Sequence, residues 1–177
     1  MGLLSVVSRT LIAQTGAVAF YGRQLPWGYE VRPLQKDDAP ALAELYLAAY
    51  PSEIVRDLAA AREEMQRTFE GEYGPLVAGL SPAITTTGRL VATVMTVAQA
   101  PWPDTPAGLF VIEVITDPAH RRQGLAKAGL GWVATRAQKH GFGTLALRVD
   151  AENSAALALY RKLGFRDWLP GAEDERP

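Results

Sequence analysis

The stretch from Leu109 to Gln138 constrains this chain more than any other. Leu109–Thr116 is apolar except at Glu113 and Thr116 and is rich in β-branched residues, the composition of a buried strand. Asp117-Pro118-Ala119-His120-Arg121-Arg122-Gln123-Gly124 follows, and Leu125–Gln138 then carries the spacing of a helix. A strand, a glycine-bearing loop and a helix in that order form a ready site for an anion. The first amides of a helix have no intrahelical partner. Its aligned peptide dipoles add the equivalent of about half a positive charge at that end. Gly124 and Ala126 let backbone approach an anion closely, and Arg121, Arg122 and Lys127 add cationic side chains. A ligand carrying phosphates is expected here.

The remaining punctuation outlines the other elements. Tyr29–Leu34 reads as a strand, and Lys36-Asp37-Asp38-Ala39-Pro40 opens a helix with acids near its positive end and proline in its first turn. Leu42, Leu45, Tyr46 and Ala49 recur at helical spacing and should face the core. Pro51-Ser52 breaks that helix, and Glu53–Phe69 is expected to form a second one, ended by Gly71 and Gly74. Strands are expected at Leu76–Ala83 and Leu90–Ala98, joined as a hairpin near Thr87-Gly88. Three prolines stiffen the loop Pro101–Pro106.

Composition bounds the function without naming it. The 177 residues suit one domain. A net charge of −1 gives no electrostatic reason to expect nucleic acid. With no cysteine, disulfides, thiolate metal sites and a cysteine nucleophile are excluded. His120 and His140 stand beside expected helix ends, and no metal site follows from them. The apolar residues near the amino terminus are interrupted by Arg9, Gln14 and glycines, short of the ~20 needed to span a bilayer. Arg9 is also misplaced for a signal peptide. A cytoplasmic protein with no membrane partner is the expectation.

The Asp117–Ala126 segment resembles the acyl-CoA signature of the GNAT N-acetyltransferase superfamily, Arg/Gln-x-x-Gly-x-Gly/Ala, with Arg121, Gly124 and Ala126 in its three fixed places. Leu145–Asp150, and Asn153 through Tyr160-Arg161-Lys162-Leu163-Gly164-Phe165, resemble the family's next strand and helix in order and spacing. The close resemblance covers residues 108–166, with a looser one over 30–99. It implies an α/β fold: a mixed, mostly antiparallel sheet with helices on both faces and with splayed fourth and fifth strands, here Leu109–Thr116 and Thr144–Asp150. It further implies acetyl-CoA as co-substrate, without a metal. By the same resemblance the backbone of Val114, Ile115 and Thr116 meets the acetyl and pantetheine end of that ligand. Arg121, Arg122, Gln123, Gly124, Leu125, Ala126 and Lys127 meet its pyrophosphate.

The implied reaction moves acetyl to a primary amine by direct attack within a ternary complex. Tyr160 is the expected acid, since a phenol can give its proton to the departing thiolate. Otherwise it is a packing residue. Asn153 should cap the last helix and, as in the family, bond the pantetheine arm. Glu113 is the first candidate for the base, with a solvent-facing or arginine-paired strand residue as the alternative. A branch of the family that acetylates protein amino termini carries a glutamate in the fifth strand, where this chain has Arg148. The acceptor, a small molecule or a peptide, is expected near Tyr50–Arg56 and Ala100–Thr105, with Tyr50, Trp102 and Asp104 as contacts.

Two other classes compete. Gly124-x-Ala126-x-x-Gly129 mimics a dinucleotide fingerprint, but that motif puts its first glycine directly in the strand-to-helix turn, and here Asp117–Gln123 intervene. A module that binds acyl-CoA without turnover stays open, because fold does not decide function. Residues 1–28 read as an extension, 29–169 as the domain and 170–177 as a solvated tail. The strand-like content of Leu3–Val7 and Leu11–Tyr21 leads to a further expectation. These residues cover apolar surface or extend the sheet, within one chain or across a homodimer.

Overall fold

Strands with largely continuous buried runs along 82–116 build the middle of a seven-stranded sheet. The computed structural model describes residues 7–22 and 24–171. In chain order these form β1 (Ser8–Gln14), α1 (Thr15–Tyr21), β2 (Glu30–Pro33), α2 (Ala39–Ala49), α3 (Leu58–Phe69), β3 (Pro82–Thr86) and β4 (Arg89–Val97). Then come β5 (Phe110–Thr116), α4 (Leu125–Lys139), β6 (Thr144–Asp150), α5 (Ser154–Lys162) and the two-residue β7 (Arg166–Asp167). The sheet order is β2-β3-β4-β5-β6-β1-β7. Neighbours are antiparallel except for β5 and β6, which run parallel.

Helices cover both faces. On one, Leu42 and Leu45 of α2 and Ala61 and Met65 of α3 pack with Ala83, Met95 and Ile115 of the sheet. On the other, Leu130, Val133, Ala134 and Ala137 of α4 pack on Val94, Val111, Leu145 and Leu147, with Val18 of α1 and Tyr160 of α5 in the same core. Tyr46 and Ala49, expected in the core, are half-buried at its margin. α4 lies close to the sheet because Gly129 has no side chain: a Cβ there would come 3.0 Å from Val94 Cγ2.

Local chemistry explains most boundaries. Thr87 and Gly88 both have positive φ, the geometry of a two-residue hairpin turn joining β3 to β4. Asn153 caps α5 by accepting from Ala156 N at 3.0 Å. Gly164 ends that helix at φ 90°, and Phe165 N bonds back to Tyr160 O at 3.0 Å.

Two expectations are corrected. The second helix begins at Leu58 rather than Glu53, because Asp57 supplies the cap to Ala60 N at 2.8 Å and Val55 is buried ahead of it. The strand expected at Leu76–Ala83 is displaced: Leu76 makes one bridge to Val97, Ala78–Leu80 form a 3-10 turn, and pairing starts at Pro82. After the last helix, Arg166 and Asp167 form a short strand paired with Ile12 and Leu11 of β1.

β1 itself comes from the segment set apart as an extension. It pairs with the whole of β6, from Ser8↔Asp150 to Gln14↔Thr144, and buries Leu11 and Ala13. α1 then packs on α4. Residues 1–6 and 172–177 of the expected extension and tail lie outside the described residues.

Candidate functional site

The sheet opens where the sequence places the ligand. β5 and β6 pair only at Phe110↔Ala146 and Val111↔Leu147. Beyond Val111 the two strands part, although β5 continues to Thr116 and β6 to Asp150. A groove of about 1050 Å³ occupies the opening. Its lining brings together Val114, Ile115, Thr116, Arg121, Arg122, Gln123, Gly124, Leu125, Ala126, Lys127, Asn153 and Tyr160. One face of α5, through Ala155, Ala156 and Leu159, supplies a wall that the motif did not flag. Small side chains spaced along that helix were its only sequence signal.

The loop ahead of α4 is shaped for an anion. Arg122 and Gly124 both adopt left-handed backbone, at φ 64° and 83°. For a non-glycine residue that conformation costs about 1–2 kcal/mol, so the surrounding bonds must hold it. Gly124 occupies the cap position without a side chain, leaving the amides of Leu125, Ala126 and Lys127 free of a side-chain cap. Arg122 and Lys127 form no ion pair among the described residues.

Several side chains hold this loop. Asp117, buried at the end of β5, accepts from Ala119 N at 2.9 Å and from Arg89 at 2.6 Å. The Tyr29 hydroxyl donates to Gln123 Oε1 at 2.8 Å and lies 2.9 Å from His120 Nδ1. Neither Tyr29 nor this role for His120 was legible in the motif. Arg121, expected to offer charge to the ligand, directs its guanidinium to the carbonyl oxygens of Ala49 at 2.9 Å and Thr116 at 3.4 Å. Its side chain ties the end of α2 to the end of β5.

The two candidate catalytic residues lie on opposite sides of one tyrosine. Tyr50 lines the groove together with Tyr160, and its hydroxyl donates to the Glu113 carboxylate. Glu113 lines a second, smaller cavity of about 200 Å³ with Glu64, Tyr73 and Trp102. A bulge aims it there: Met95 pairs with Glu113 and Thr96 with Val111, leaving Ile112 as the extra residue. Burial pushes the Glu113 carboxyl up to about 7, against the opposing pull of Tyr50 and the Val114 amide. Burial, and then the charge of Glu113, push the Tyr160 phenol up to about 12 and the Tyr50 phenol higher still. Tyr160 is 7% exposed, and its ring packs on Phe165 at 5.7 Å between centroids.

Of the expected acceptor contacts, Trp102 lines the small cavity and Asp104 does not. Asp104 instead pairs with Arg148 at 2.9 Å, and that guanidinium lies 5.5 Å over the Trp102 ring. Glu64 and Tyr73 join the site from outside the loops that the sequence pointed to.

A splayed mixed sheet with an anion-ready loop at the opening is the framework shared with a large family of transferases. Residues 39–165 match the model of the acetyltransferase (GNAT) family, and the chain belongs to it. It is 36% identical over 102 residues to the ribosomal protein bS18-alanine N-acetyltransferase of Escherichia coli strain K12, a match covering 58% of this chain and 64% of that protein. It is 35% identical over 104 residues to the mycothiol acetyltransferase of Rhodococcus erythropolis, covering 56% of this chain and 33% of that one. The chain thus spans less than two thirds of the length of these relatives. The crystal structure of the E. coli ribosomal-protein-S18-alanine N-acetyltransferase shares the fold at a TM-score of 0.59 and 26% identity, covering 80% of this chain and 79% of that chain. Among the described residues no helix is long and apolar enough to cross a membrane.

Proposed function

We propose that this chain is an N-acetyltransferase that moves an acetyl group from acetyl-CoA to a primary amine by direct attack. The observation that carries the reading is the placement of Tyr160 in the wall of the phosphate-ready groove, with Glu113 reached across Tyr50. The pyrophosphate would lie on the amides after Arg122, and the pantetheine amides would bond the free edge of β5 at Val114–Thr116. That edge has backbone groups without strand partners on the β6 side, which a ligand must satisfy when it displaces water.

The chemistry follows from the two shifted groups. The Glu113 carboxylate accepts a proton from the incoming ammonium, directly or through water, and frees the nitrogen lone pair. The nitrogen bonds the acetyl carbonyl carbon, and the tetrahedral intermediate expels the thiolate as the C–S bond breaks. Tyr160, kept neutral by burial, gives its hydroxyl proton to the sulfur and recovers one from the acylated nitrogen, leaving a neutral amide and a free thiol, and Glu113 returns its proton to solvent. A base near 7 and an acid near 12 suit these opposite tasks at neutral pH.

The test is release of free thiol from acetyl-CoA by the purified protein with a panel of amines. Amine-dependent release with formation of the amide is the expected result. CoA binding without release under any amine would leave a binding module instead.

A further inference from the structure

We infer that the small cavity beside Glu113 takes its acceptor as a compact diamine, with the reacting nitrogen at Glu113 and a second ammonium beside Glu64 and the faces of Tyr73 and Trp102. The inference rests on the acetyltransferase reading for which nitrogen reacts.

The cavity holds about 200 Å³. At about 30 Å³ per water-sized group that is room for roughly seven heavy atoms. Its walls are Met65, Met95 and the two rings, which suit an aliphatic chain, and its charged members are Glu64 and Glu113. No lining residue is cationic. The two neighbouring guanidiniums are already engaged: Arg67 by Glu72 and Arg148 by Asp104. An acceptor carboxylate would therefore meet two carboxylates and ring faces, with no donor of opposite charge. A second ammonium meets the reverse.

The rings already show their affinity for cations. Arg67 lies 5.8 Å from the Tyr73 centroid and Arg148 5.5 Å from that of Trp102, both from outside the cavity lining. Arg67 also lies 3.4 Å from Glu64, a looser contact than its bidentate bond to Glu72, so the Glu64 carboxylate keeps oxygen capacity for a ligand. Glu64 lines the cavity with its side chain a quarter exposed.

Four amines separate the alternatives: 1,5-diaminopentane, pentylamine, 5-aminopentanoate and alaninamide, the last standing for a peptide terminus. Their binding to the full chain saturated with CoA is measured by calorimetry, and thiol release from acetyl-CoA is followed in parallel. The diamine is expected to bind about tenfold or more tighter than pentylamine, and 5-aminopentanoate not to bind detectably. In Glu64→Gln the ratio of diamine to pentylamine should collapse toward one, and Tyr73→Leu should lower it as well. Equal binding of pentylamine or alaninamide, preference for 5-aminopentanoate, or a ratio that survives Glu64→Gln overturns the inference. Diamine preference in binding without thiol release upholds the cavity reading and overturns the enzyme.

Discussion

The Tyr50 hydroxyl donates its hydrogen bond to the Glu113 carboxylate, and the two residues face different cavities. Tyr50 ends α2, and Glu113 sits at a bulge in β5, so the bond joins a residue lining the groove to one lining the smaller cavity. A donor there favours the charged form of a carboxyl that burial otherwise neutralises. Glu64 on α3 opposes it, and Tyr46 on α2 and Tyr160 on α5 face the same charge. Glu113 is thereby held near the point where it can both take and release a proton.

Tyr50→Phe removes the donor and little else. The Glu113 carboxyl should then titrate above its present value near 7, so the rising limb of the pH–rate profile moves to higher pH. Turnover should fall at pH 7 and recover toward the parent at pH 9. A uniform loss across all pH would mean that the ring serves packing alone.

Glu113→Gln should lower turnover by about 10²-fold or more, since an amide cannot accept the proton. The same change should affect stability in the opposite sense. The parent carboxyl is raised from 4.5 to about 7, so its burial favours the folded state below pH 4.5, and that advantage is lost as pH rises through 7. The variant should therefore gain melting temperature relative to the parent between pH 4.5 and 7 and hold that gain above it. Thermal melts at pH 4 and pH 8 check the sign.

Tyr160→Phe deletes one hydroxyl from a residue whose ring stays packed on Phe165. Turnover should drop by about 10²-fold or more with CoA affinity changed little. Full activity in the variant would reduce Tyr160 to its place in the core.

Gly124→Asp places a carboxylate at the mouth of the amide cradle, at a backbone angle of φ 83° that aspartate tolerates better than most residues. CoA affinity by calorimetry should weaken about tenfold or more by charge alone. Unchanged affinity in a folded variant would move the phosphate site elsewhere.

Leu11→Ala tests whether the amino-terminal strand is part of the core. Leu11 is fully buried between β6 and β7, and its truncation should cost about 2–5 kcal/mol. For a chain of this size that lowers the melting temperature by roughly 4–20 °C. A loosely attached extension would show no change.

The sequence alone determined what short spans can encode. The strand, loop and helix from Phe110 to Lys139, the helix end at Gly164 and the Asn153 cap depend on contacts within a few residues, and residue type at each position specifies them. The family resemblance then brought Tyr160 and the groove-lining residues into view together, and they do line one groove. Tertiary structure decided everything that joins distant segments. Leu11 finds Leu147 across 136 residues, Tyr50 finds Glu113 across 63, and the Arg121 guanidinium finds the carbonyl of Ala49 across 72. No local pattern marks such partners, because an apolar strand or a lone tyrosine can satisfy its burial and its hydrogen bond in many places. Which place is used depends on the free energy of the whole sheet closing at once.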